Sequence, residues 1–325
     1  MRVIYVLPGS SEGKEWSLVF VKRQIVSLEN LGIEAKIFYF HTRYSIVGFL
    51  QEIGRLRRAL RSFSPDLVHA QFGSLTAFGS AISSTLPLVI SFRGSDLNPA
   101  ASDSDIRNFL TQLLSQFSTI KASAVICVSN QLKDRLLLQK IPIFVIPSGV
   151  DISLFKPRSK LEARNLLGWS HDERVVLFAN RDPVGKGFDL AKQAIGICRQ
   201  HLPQARLHLL DGKTSPREIP IIMNASDALL LASMSEGSPN IVKEAIASSL
   251  PVVSVDVGDV RERLEGVFPS QITSRNPIEM ACALLEILKS PQSSNGHERA
   301  KTISLEAIAE KIVSVYNLVL MKNQG

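Results

Sequence analysis

Short, unbroken apolar runs alternate along the chain with longer stretches in which apolar residues recur every three or four positions. Such runs are typical of strands buried on both faces of a sheet, and such stretches are typical of amphipathic helices. The predicted strands span 3–7, 35–40, 65–70, 88–91, 124–128, 143–146, 175–179, 206–210, 228–232 and 252–255. The predicted helices outside the segment around residue 240 span 18–31, 45–63, 106–121, 131–139, 188–200, 277–288 and 305–320. This alternation predicts an α/β fold with doubly wound parallel sheets.

The alternation is interrupted at residues 147–157, which are rich in turn formers and lack helical periodicity. A chain of 325 residues is expected to form two domains. We therefore predict a first Rossmann-like domain at 1–150 and a second at 151–304. The last segment, 305–325, is predicted to contain a helix.

The segment 226–255 is the most informative stretch of the chain. A predicted strand at 228–232 is followed by a loop, a helix and the strand at 252–255. Ser238 is predicted to cap the helix, with Pro239 at its first position. The amides of Asn240 and Ile241 would then lie open at the helix N-terminus, where an anion binds well.

Glu236 and Glu244 flank this predicted helix N-terminus. Taken alone, Glu244 is most simply a solvated surface residue. Glu236 is then a loop acid that gains about 0.3–1 kcal/mol from the helix dipole. Only their surroundings favour a functional role for the pair.

Composition narrows the class of protein. Hydrophobic residues make up 45% and charged residues 21%, so the chain is not disordered. The net charge of +7 fits nucleic acid, anionic lipid or phosphorylated ligands. No zinc-ligand spacing or aromatic-basic stripe supports nucleic acid, so we predict no nucleic-acid partner.

The cysteines and the apolar runs predict the cellular location of the protein. Cys127, Cys198 and Cys282 are far apart and odd in number, as in a reducing compartment. No apolar run approaches the ~18 residues of a membrane span, and 3–7 is too short for a signal-peptide core. We expect a cytoplasmic protein that is at most peripheral at the inner face of a membrane.

The run Glu-Gly-Ser-Pro-Asn-Ile-Val-Lys-Glu-Ala at 236–245 resembles the Glu-x7-Glu signature of the retaining glycosyltransferases of family 4. The segment 148–157 resembles the linker of that family, and 258–262 resembles its Gly-Gly-x-x-Glu motif. The resemblance extends over nearly the whole chain. It implies the GT-B fold, two Rossmann-like domains facing across a cleft, with the C-terminal helix crossing back to the first domain.

The segment 180–187, Asn-Arg-Asp-Pro-Val-Gly-Lys-Gly, resembles the family's Gly-Arg-Leu-x-x-x-Lys-Gly. A guanidinium such as that of Arg181 can hold two phosphate oxygens, and an ammonium such as that of Lys186 adds a point charge. The alternative is a surface turn with two solvated cations. Beside Glu236 and Glu244 the phosphate interpretation is favoured.

The resemblance implies transfer of a sugar from a nucleotide-diphosphate sugar to a hydroxyl acceptor, with retention of configuration. Glu236 would contact the donor sugar and support charge at the anomeric carbon, and Glu244 would bind the ribose hydroxyls. Arg181, Lys186 and the amides of the loop and helix start would stabilise the diphosphate. These loop and helix residues are Gly237, Ser238, Pro239, Asn240 and Ile241. No Asp-x-Asp motif is evident, so no metal and no other cofactor is expected.

Four residues of the first domain are further candidates for substrate contact. Gly9 lies in a glycine-bearing loop at 8–13 that faces the cleft in the family, although the usual glycine pair is absent. His69 ends a predicted strand and is either packed or in contact with the acceptor. Arg93 stands where relatives carry a histidine, so it either favours an anionic group or pairs with Asp96.

The predicted helix at 45–63 carries Arg55, Arg57, Arg58 and Arg61. The cluster is most simply a solvated face. The alternative is docking to an anionic membrane, where each basic residue contributes roughly 1 kcal/mol. An acceptor that is a saccharide or lipid-linked, as in polysaccharide or glycolipid biosynthesis, would fit the second interpretation.

Two other functions remain open at the level of sequence. A nucleotide-sugar epimerase or phosphorylase of similar fold would turn over donor without a second sugar acceptor. A non-catalytic nucleotide-sugar-binding or partner subunit would be expected to lack one of Arg181, Lys186 and the glutamates, yet all are present. The short segment 211–220 leaves the nucleobase of the donor unassigned.

Overall fold

The computed structural model describes residues 1–9, 18–41, 45–99, 104–138 and 140–322. The chain divides into two compact units, Met1–Gly149 with Leu305–Gly325, and Val150–Ser304. They are called unit 1 and unit 2 below. The division falls inside the turn-rich segment 147–157, and the C-terminal helix groups with unit 1.

The strands follow the predicted apolar runs, with small shifts at their ends. They are β1 (Arg2–Pro8), β2 (Glu34–Phe40), β3 (Leu67–Ala70), β4 (Leu88–Phe92), β5 (Ala124–Cys127), β6 (Ile143–Val145), β7 (Arg174–Ala179), β8 (Ala205–Leu210), β9 (Ala228–Leu231), β10 (Val252–Val255) and β11 (Gln271–Thr273).

The helices lie between the strands. They are α1 (Val19–Glu29), α2 (Ile46–Phe63), α3 (Ser74–Ser83), α4 (Asp105–Thr119), α5 (Asn130–Lys133), α6 (Lys160–Leu167), α7 (Pro183–Lys186), α8 (Phe188–His201), α9 (Ile219–Ala225), α10 (Asn240–Ala247), α11 (Val260–Leu264), α12 (Pro277–Lys289), α13 (Gly296–Ala300) and α14 (Leu305–Lys322). A single 3₁₀ turn, Lys301–Ile303, precedes α14 in the described chain.

Unit 1 is built on a parallel sheet in the order β2-β1-β3-β4-β5-β6. Successive residues of β1 point to opposite faces, so Ile4 joins the core under α2 and α3. Tyr5 joins the core formed with α1 and α14. Because the order reverses between β1 and β3, the carboxyl ends of these two strands form the switch point where ligands bind in open α/β sheets.

Unit 2 contains a second parallel sheet, in the order β11-β10-β9-β7-β8. Its central strand β9 is buried along its whole length, because helices cover both faces. Here the order reverses between β7 and β9, so the switch point lies at the carboxyl ends of these strands. Two parallel α/β units confirm the predicted fold class.

Several helices differ from the prediction. The expected helix at 131–139 is reduced to α5, and residue 139 lies outside the described residues. Leu136 is buried while Leu137 is 83% exposed, so the leucine run has no continuous apolar face. The short helices α3, α6 and α9 were not predicted, since their small or mixed residues give weak apolar contrast.

The three cysteines carry free thiols. Burial raises the pKa of Cys127 to about 12 and that of Cys198 to about 11, so both thiols stay protonated at neutral pH. Cys282 is exposed on α12. Among the helices of the described chain, none combines the length and the hydropathy needed to cross a bilayer.

Candidate functional site

Lys186 and Glu236 meet at the switch point of the unit 2 sheet. Lys186 ends the turn that follows β7, and Glu236 lies in the loop after β9. The Lys186 ammonium forms an ion pair with Oε1 of Glu236, and the Ser233 hydroxyl donates to the same oxygen at 2.7 Å. The two side chains are 27% and 15% exposed, so a ligand can still reach them. The sequence placed these residues 50 positions apart, and the fold brings them into contact.

Local backbone geometry holds the two loops together. Oδ1 of Asp182 accepts from the amide of Gly185 at 3.2 Å and caps the short helix α7. Gly187 follows with φ of +73°, and a Cβ there would clash with the Ala232 carbonyl oxygen, so glycine is required. The amide of Met234 donates to the Gly185 carbonyl at 2.8 Å. The turn that carries Lys186 and the loop that carries Glu236 are therefore held together by direct backbone contacts.

Arg181 lies at the same edge, directly after β7. Its side chain is exposed and passes over Gly212, which follows β8 with φ of +87°. A Cβ at Gly212 would stand 3.0 Å from Nε of Arg181. The glycine thus leaves room for the Arg181 side chain beside it.

The start of α10 differs from the prediction. The helix begins at Asn240 with Pro239 as its cap residue, so the prediction of Ser238 as cap and Pro239 at the first position was wrong. The Ser238 hydroxyl instead donates to Oδ2 of Asp259 at 2.9 Å. No described side chain caps the helix. The amide of Val242 donates to the Pro239 carbonyl at 3.2 Å, so the amides of Asn240 and Ile241 are the ones that face an anion at the helix start.

A buried charge network beneath this loop was missed at the level of sequence. Lys243 is only 1% exposed, and its ammonium donates to the Ser238 hydroxyl at 2.8 Å. Asp259 pairs with Arg263 at 3.2 Å. Burial raises the pKa of Asp259, while the positive charges of Lys243 and Arg263 oppose this rise. A lysine between Val242 and Glu244 resembles a surface residue in sequence, so no local signal marked it.

The remaining residues of the loop and helix have distinct surroundings. Gly237 is buried. Its carbonyl oxygen would lie only 2.6 Å from a Cβ on Gly258, so the two loops are in close contact there. The side chain of Ile241 is partly buried and packs on the unit 2 core. Glu244 is half-buried on the second turn of α10.

Some of the buried polar atoms that have no hydrogen-bond partner among the described residues lie at this same edge. Within the described residues they include Oδ1 of Asn180, Oδ1 of Asn240 and Oγ1 of Thr273. Asn180 follows β7, Asn240 begins α10 and Thr273 ends β11, all at the carboxyl side of the sheet. Because buried polar atoms normally have partners, these three atoms are open to hydrogen bonds from a bound ligand.

Arg93 of unit 1 is held by neutral groups. Its guanidinium donates to the carbonyl and side-chain oxygens of Gln71, to Gln24 at 3.0 Å and to the Ser148 hydroxyl at 2.9 Å. Burial lowers its pKa to about 10, so the group stays charged at neutral pH. The alternative of a side-chain pair with Asp96 was wrong, because Asp96 accepts the backbone amide of Arg93 and not its guanidinium. The alternative of an anionic group near Arg93 stays a prediction.

Asp96 and Gly9 have structural contacts in unit 1. Asp96 is 3% exposed and accepts backbone amides from Gly73, Arg93 and Gly94 at 2.8–3.1 Å. Burial raises its pKa, and these amides oppose the rise. The amide of Gly9 donates to the Phe40 carbonyl at 2.7 Å. The rest of the predicted glycine loop, from residue 10 to residue 13, lies outside the described residues.

His69 is fully buried at the centre of unit 1. Its Nδ1 lies 2.6 Å from the Tyr316 hydroxyl of α14, and its Nε2 lies 2.8 Å from the Ser91 hydroxyl. Burial and the nearby charge of Arg93 lower its pKa to about 3, so the ring is neutral. With both nitrogens bonded inside the protein, the packing alternative is the one that this structure supports.

The described part of the chain contains no cluster of three or more histidine, cysteine, aspartate or glutamate side chains that could hold a metal ion. The positive charge at the unit 2 edge comes from Arg181, Lys186 and the start of α10. This arrangement can bind a diphosphate through side chains and amides.

Two family models match the chain. Residues 12–154 match the family described as Glycosyltransferase Family 4, and residues 198–290 match Glycosyl transferases group 1. A teichuronic acid biosynthesis glycosyltransferase of Bacillus subtilis, TuaC, whose assignment is itself provisional, is 30% identical over 222 residues. That match covers 62% of this chain and 55% of the relative. The chain thus spans about half the length of the curated relatives it matches.

Solved structures show the same fold across almost the whole chain. Sucrose-phosphate synthase from Thermosynechococcus elongatus has a TM-score of 0.76 at 16% identity, covering 99% of this chain and 100% of that one. Anabaena Alr3699/HepE, solved in complex with UDP, has a TM-score of 0.73 at 18% identity, covering 98% and 100%. At this identity the likeness concerns the fold, which is the GT-B type.

Proposed function

The chain belongs to glycosyltransferase family 4, and on this premise we propose that it is a retaining glycosyltransferase using a nucleotide-diphosphate sugar. The observation that carries the proposal is the convergence of Lys186, Glu236 and the uncapped start of α10 at the switch point of unit 2. That edge is where open parallel sheets bind ligands. It combines positive groups suited to a diphosphate with a carboxylate suited to a sugar.

In the proposed mechanism the leaving nucleoside diphosphate gains negative charge as its bond to the sugar breaks. Arg181, Lys186 and the first amides of α10 stabilise that charge, which favours the transition state over the bound donor. Glu236 contacts the sugar and supports positive charge at the anomeric carbon. Glu244 accepts hydrogen bonds from the ribose hydroxyls.

Binding of the donor has to rearrange the pair of Lys186 and Glu236. The ammonium of Lys186 is paired with the carboxylate of Glu236. A diphosphate competes for Lys186, which leaves Glu236 to turn to the sugar. Attack on the same face as the leaving group, with the phosphate oxygen taking the acceptor proton, would retain the anomeric configuration.

The donor and acceptor classes rest on the relatives. Anabaena HepE was solved with UDP and with UDP-glucose, which supports a nucleotide sugar as donor here. The name of the Bacillus relative refers to teichuronic acid biosynthesis. We propose a saccharide or lipid-linked hydroxyl acceptor in polysaccharide or glycolipid synthesis, at the cytoplasmic side of the membrane.

A panel of nucleotide sugars tests the proposal. The true donor should raise the melting temperature, because a ligand at 100 times its Kd adds about 2.7 kcal/mol. Incubation with saccharide acceptors should then give a product whose anomeric linkage, read by NMR, matches that of the donor. Stabilisation without transfer to any acceptor would favour a binding subunit. Donor turnover without acceptor to an epimer would favour an epimerase, and an inverted linkage would reject the retaining mechanism.

A further inference from the structure

Helix α4 of unit 1 exposes its apolar side chains and buries polar ones. Six large apolar side chains on this helix and at its end are 37% to 74% exposed, namely Ile106, Phe109, Leu110, Leu113, Phe117 and Ile120. Their spacing places them along one face of the helix. Single exposed apolar residues are ordinary, but a continuous stripe of this length marks an interaction surface.

The buried side of the same helix is polar. Ser115, Ser118 and Thr119 are fully buried against the rest of unit 1. The Ser115 hydroxyl donates to the Thr111 carbonyl at 2.8 Å and accepts the amide of Ser74 at 2.8 Å, at the start of α3. The bond from the Ser74 amide joins α4 to the start of α3, so turning the apolar face of α4 inward would leave this partly buried amide without its partner.

One further residue extends this surface. Leu137 is 83% exposed, and its amide donates to the side chain of Gln116 on α4 at 3.1 Å. Gln116 also donates to the Arg135 carbonyl at 2.9 Å, which holds the leucine beside the helix. The six α4 residues and Leu137 are called the α4 patch below.

A basic pocket begins where the α4 patch ends. It is open, has a volume of about 650 Å³, and is lined by Arg57, Arg61 and Lys121 among others. Lys121 directly follows Ile120, the last patch residue on the helix. None of the described residues that line the pocket is acidic.

The pocket is distinct from the candidate sugar site. It is lined by residues just before β3, β4 and β5, including Pro65, Leu86 and Lys121. These are the amino ends of the strands, whereas Arg93 and Asp96 follow the carboxyl end of β4. Helix α4 runs from the carboxyl edge to the amino edge, so the α4 patch extends along the side of unit 1.

We propose that the α4 patch and the basic pocket together form a docking face for an anionic phospholipid membrane. The apolar stripe enters the boundary between headgroups and acyl chains, and the pocket takes a lipid phosphate. Charge favours a bilayer over a second copy of this chain, because the chain carries +7 and its three pocket cations would repel their copies. The proposal does not depend on which sugar or nucleotide the chain uses.

The first test measures binding to phosphatidylglycerol vesicles at low salt, by flotation of the full chain. The wild type should float with these vesicles and bind less at 1 M salt, where screening shortens to ~3 Å. The variant Phe109→Ser/Phe117→Ser should bind at least about tenfold less. The control Leu166→Ser/Ile278→Ser removes side chains of unit 2 that are 75% and 61% exposed, and it should bind like the wild type.

The second test distinguishes the basic residues that line the pocket from other basic residues on the same surface. Arg57→Gln/Arg61→Gln/Lys121→Gln should weaken vesicle binding on the order of 100-fold, from three lost cations. The control Arg55→Gln/Arg58→Gln should have a smaller effect, because neither residue lines the pocket and Arg55 pairs with Glu52 at 2.5 Å. Equal losses in both variants would reject the pocket.

Further outcomes would overturn the proposal. One is a wild type that ignores anionic vesicles at low salt. Another is a wild-type dimer that becomes monomeric in Phe109→Ser/Phe117→Ser while vesicle binding is unchanged, which would assign the patch to a second copy. All variants are checked by circular dichroism and by nucleotide-sugar binding in solution. If the wild type binds vesicles but no nucleotide sugar, the proposed function is rejected and the membrane proposal is still supported.

Discussion

At the scale of single residues, the contact between Lys186 and Glu236 has an unusual consequence. The carboxylate neutralises the cation that the proposed function assigns to the diphosphate. Removing the negative charge should therefore help the diphosphate to bind even as it removes a group needed for the chemistry. Binding and turnover should change in opposite directions.

We expect Glu236→Gln to bind the free nucleoside diphosphate several-fold more tightly, because a partly exposed ion pair contributes up to about 1 kcal/mol. Transfer should fall by about 10² or more, since support for the developing charge is lost. Calorimetric titration and initial rates measure the two effects. The control is Glu298→Gln, which breaks a surface pair with Lys301 of 2.6 Å and should change neither. Weaker nucleotide binding by Glu236→Gln would contradict the competition.

The proposed contact between Glu244 and the ribose should affect the affinity for the nucleotide. We expect Glu244→Gln to weaken binding of the nucleoside diphosphate by roughly 1.5–3 kcal/mol, the range for hydrogen bonds to a charged group. The loss should be much smaller for inorganic diphosphate, which has no ribose. Equal affinity of wild type and variant for the nucleotide would count against the ribose assignment.

At the scale of elements, the buried Lys243 links α10 to the loops at both of its sides. Its ammonium holds the Ser238 hydroxyl, and that hydroxyl holds Asp259 before α11. Gly258 then packs against the Gly237 carbonyl. The backbone amides proposed to bind the diphosphate thus depend on a charge that never reaches solvent.

We expect Lys243→Met to weaken nucleotide binding by about tenfold and to lower the stability of unit 2, because Ser238 and Asp259 lose a buried partner. Lys243→Arg should restore part of the binding, which a simple packing role would not produce. The control is Lys192→Met, which removes an exposed lysine of α8 that pairs with Asp189. Nucleotide affinity unchanged in Lys243→Met would show that the loop is held by other contacts.

His69 couples β3 and β4 to the C-terminal helix, and it makes the stability of unit 1 depend on pH. Its pKa is about 3 in the fold and about 6.5 in an unfolded chain. Between these values the unfolded chain binds a proton that the native state does not, so stability falls as pH drops. The slope from this group is about 1.4 kcal/mol per pH unit.

Urea unfolding at pH 7 down to pH 4 measures this effect. We expect His69→Gln to be less stable than the wild type at pH 7 and to have a shallower slope between pH 6 and 4. The control His201→Gln replaces an exposed histidine of α8 and should keep the wild-type slope. If the free energy of unfolding of wild type and His69→Gln changed with pH in parallel, the pKa of His69 would not be lowered in the native state.

At the scale of the whole molecule, the proposed function assigns the neutralisation of the diphosphate to positive groups of the chain itself. We expect transfer to survive chelation by EDTA, because Arg181, Lys186 and the start of α10 already provide positive charge for the diphosphate. Initial rates with and without chelator measure this directly. Full loss of activity in EDTA that is restored by a divalent cation would reject the electrostatic account.

The sequence by itself determined the class of fold, because the signals involved are local. Buried parallel strands need continuous apolar runs, and these runs placed ten of the strands within a few residues of their positions. The boundary predicted near residue 150 depends on turn residues that also act locally. The functional candidates Arg181, Lys186, Glu236 and Glu244 were identified because their segments resemble motifs of a known family, and such a resemblance likewise needs no knowledge of contacts.

Only the tertiary structure decided which side chains meet. Glu236 has Lys186 as its partner, and Ser238 bonds to Asp259 instead of capping α10. His69 is enclosed by Tyr316, which is 247 positions away. Lys243 lies inside and the apolar side of α4 lies outside, against the usual preference of each. A residue's burial and partners depend on elements distant in sequence, and the energy of a hydrogen-bonded network can override the preference of a single side chain.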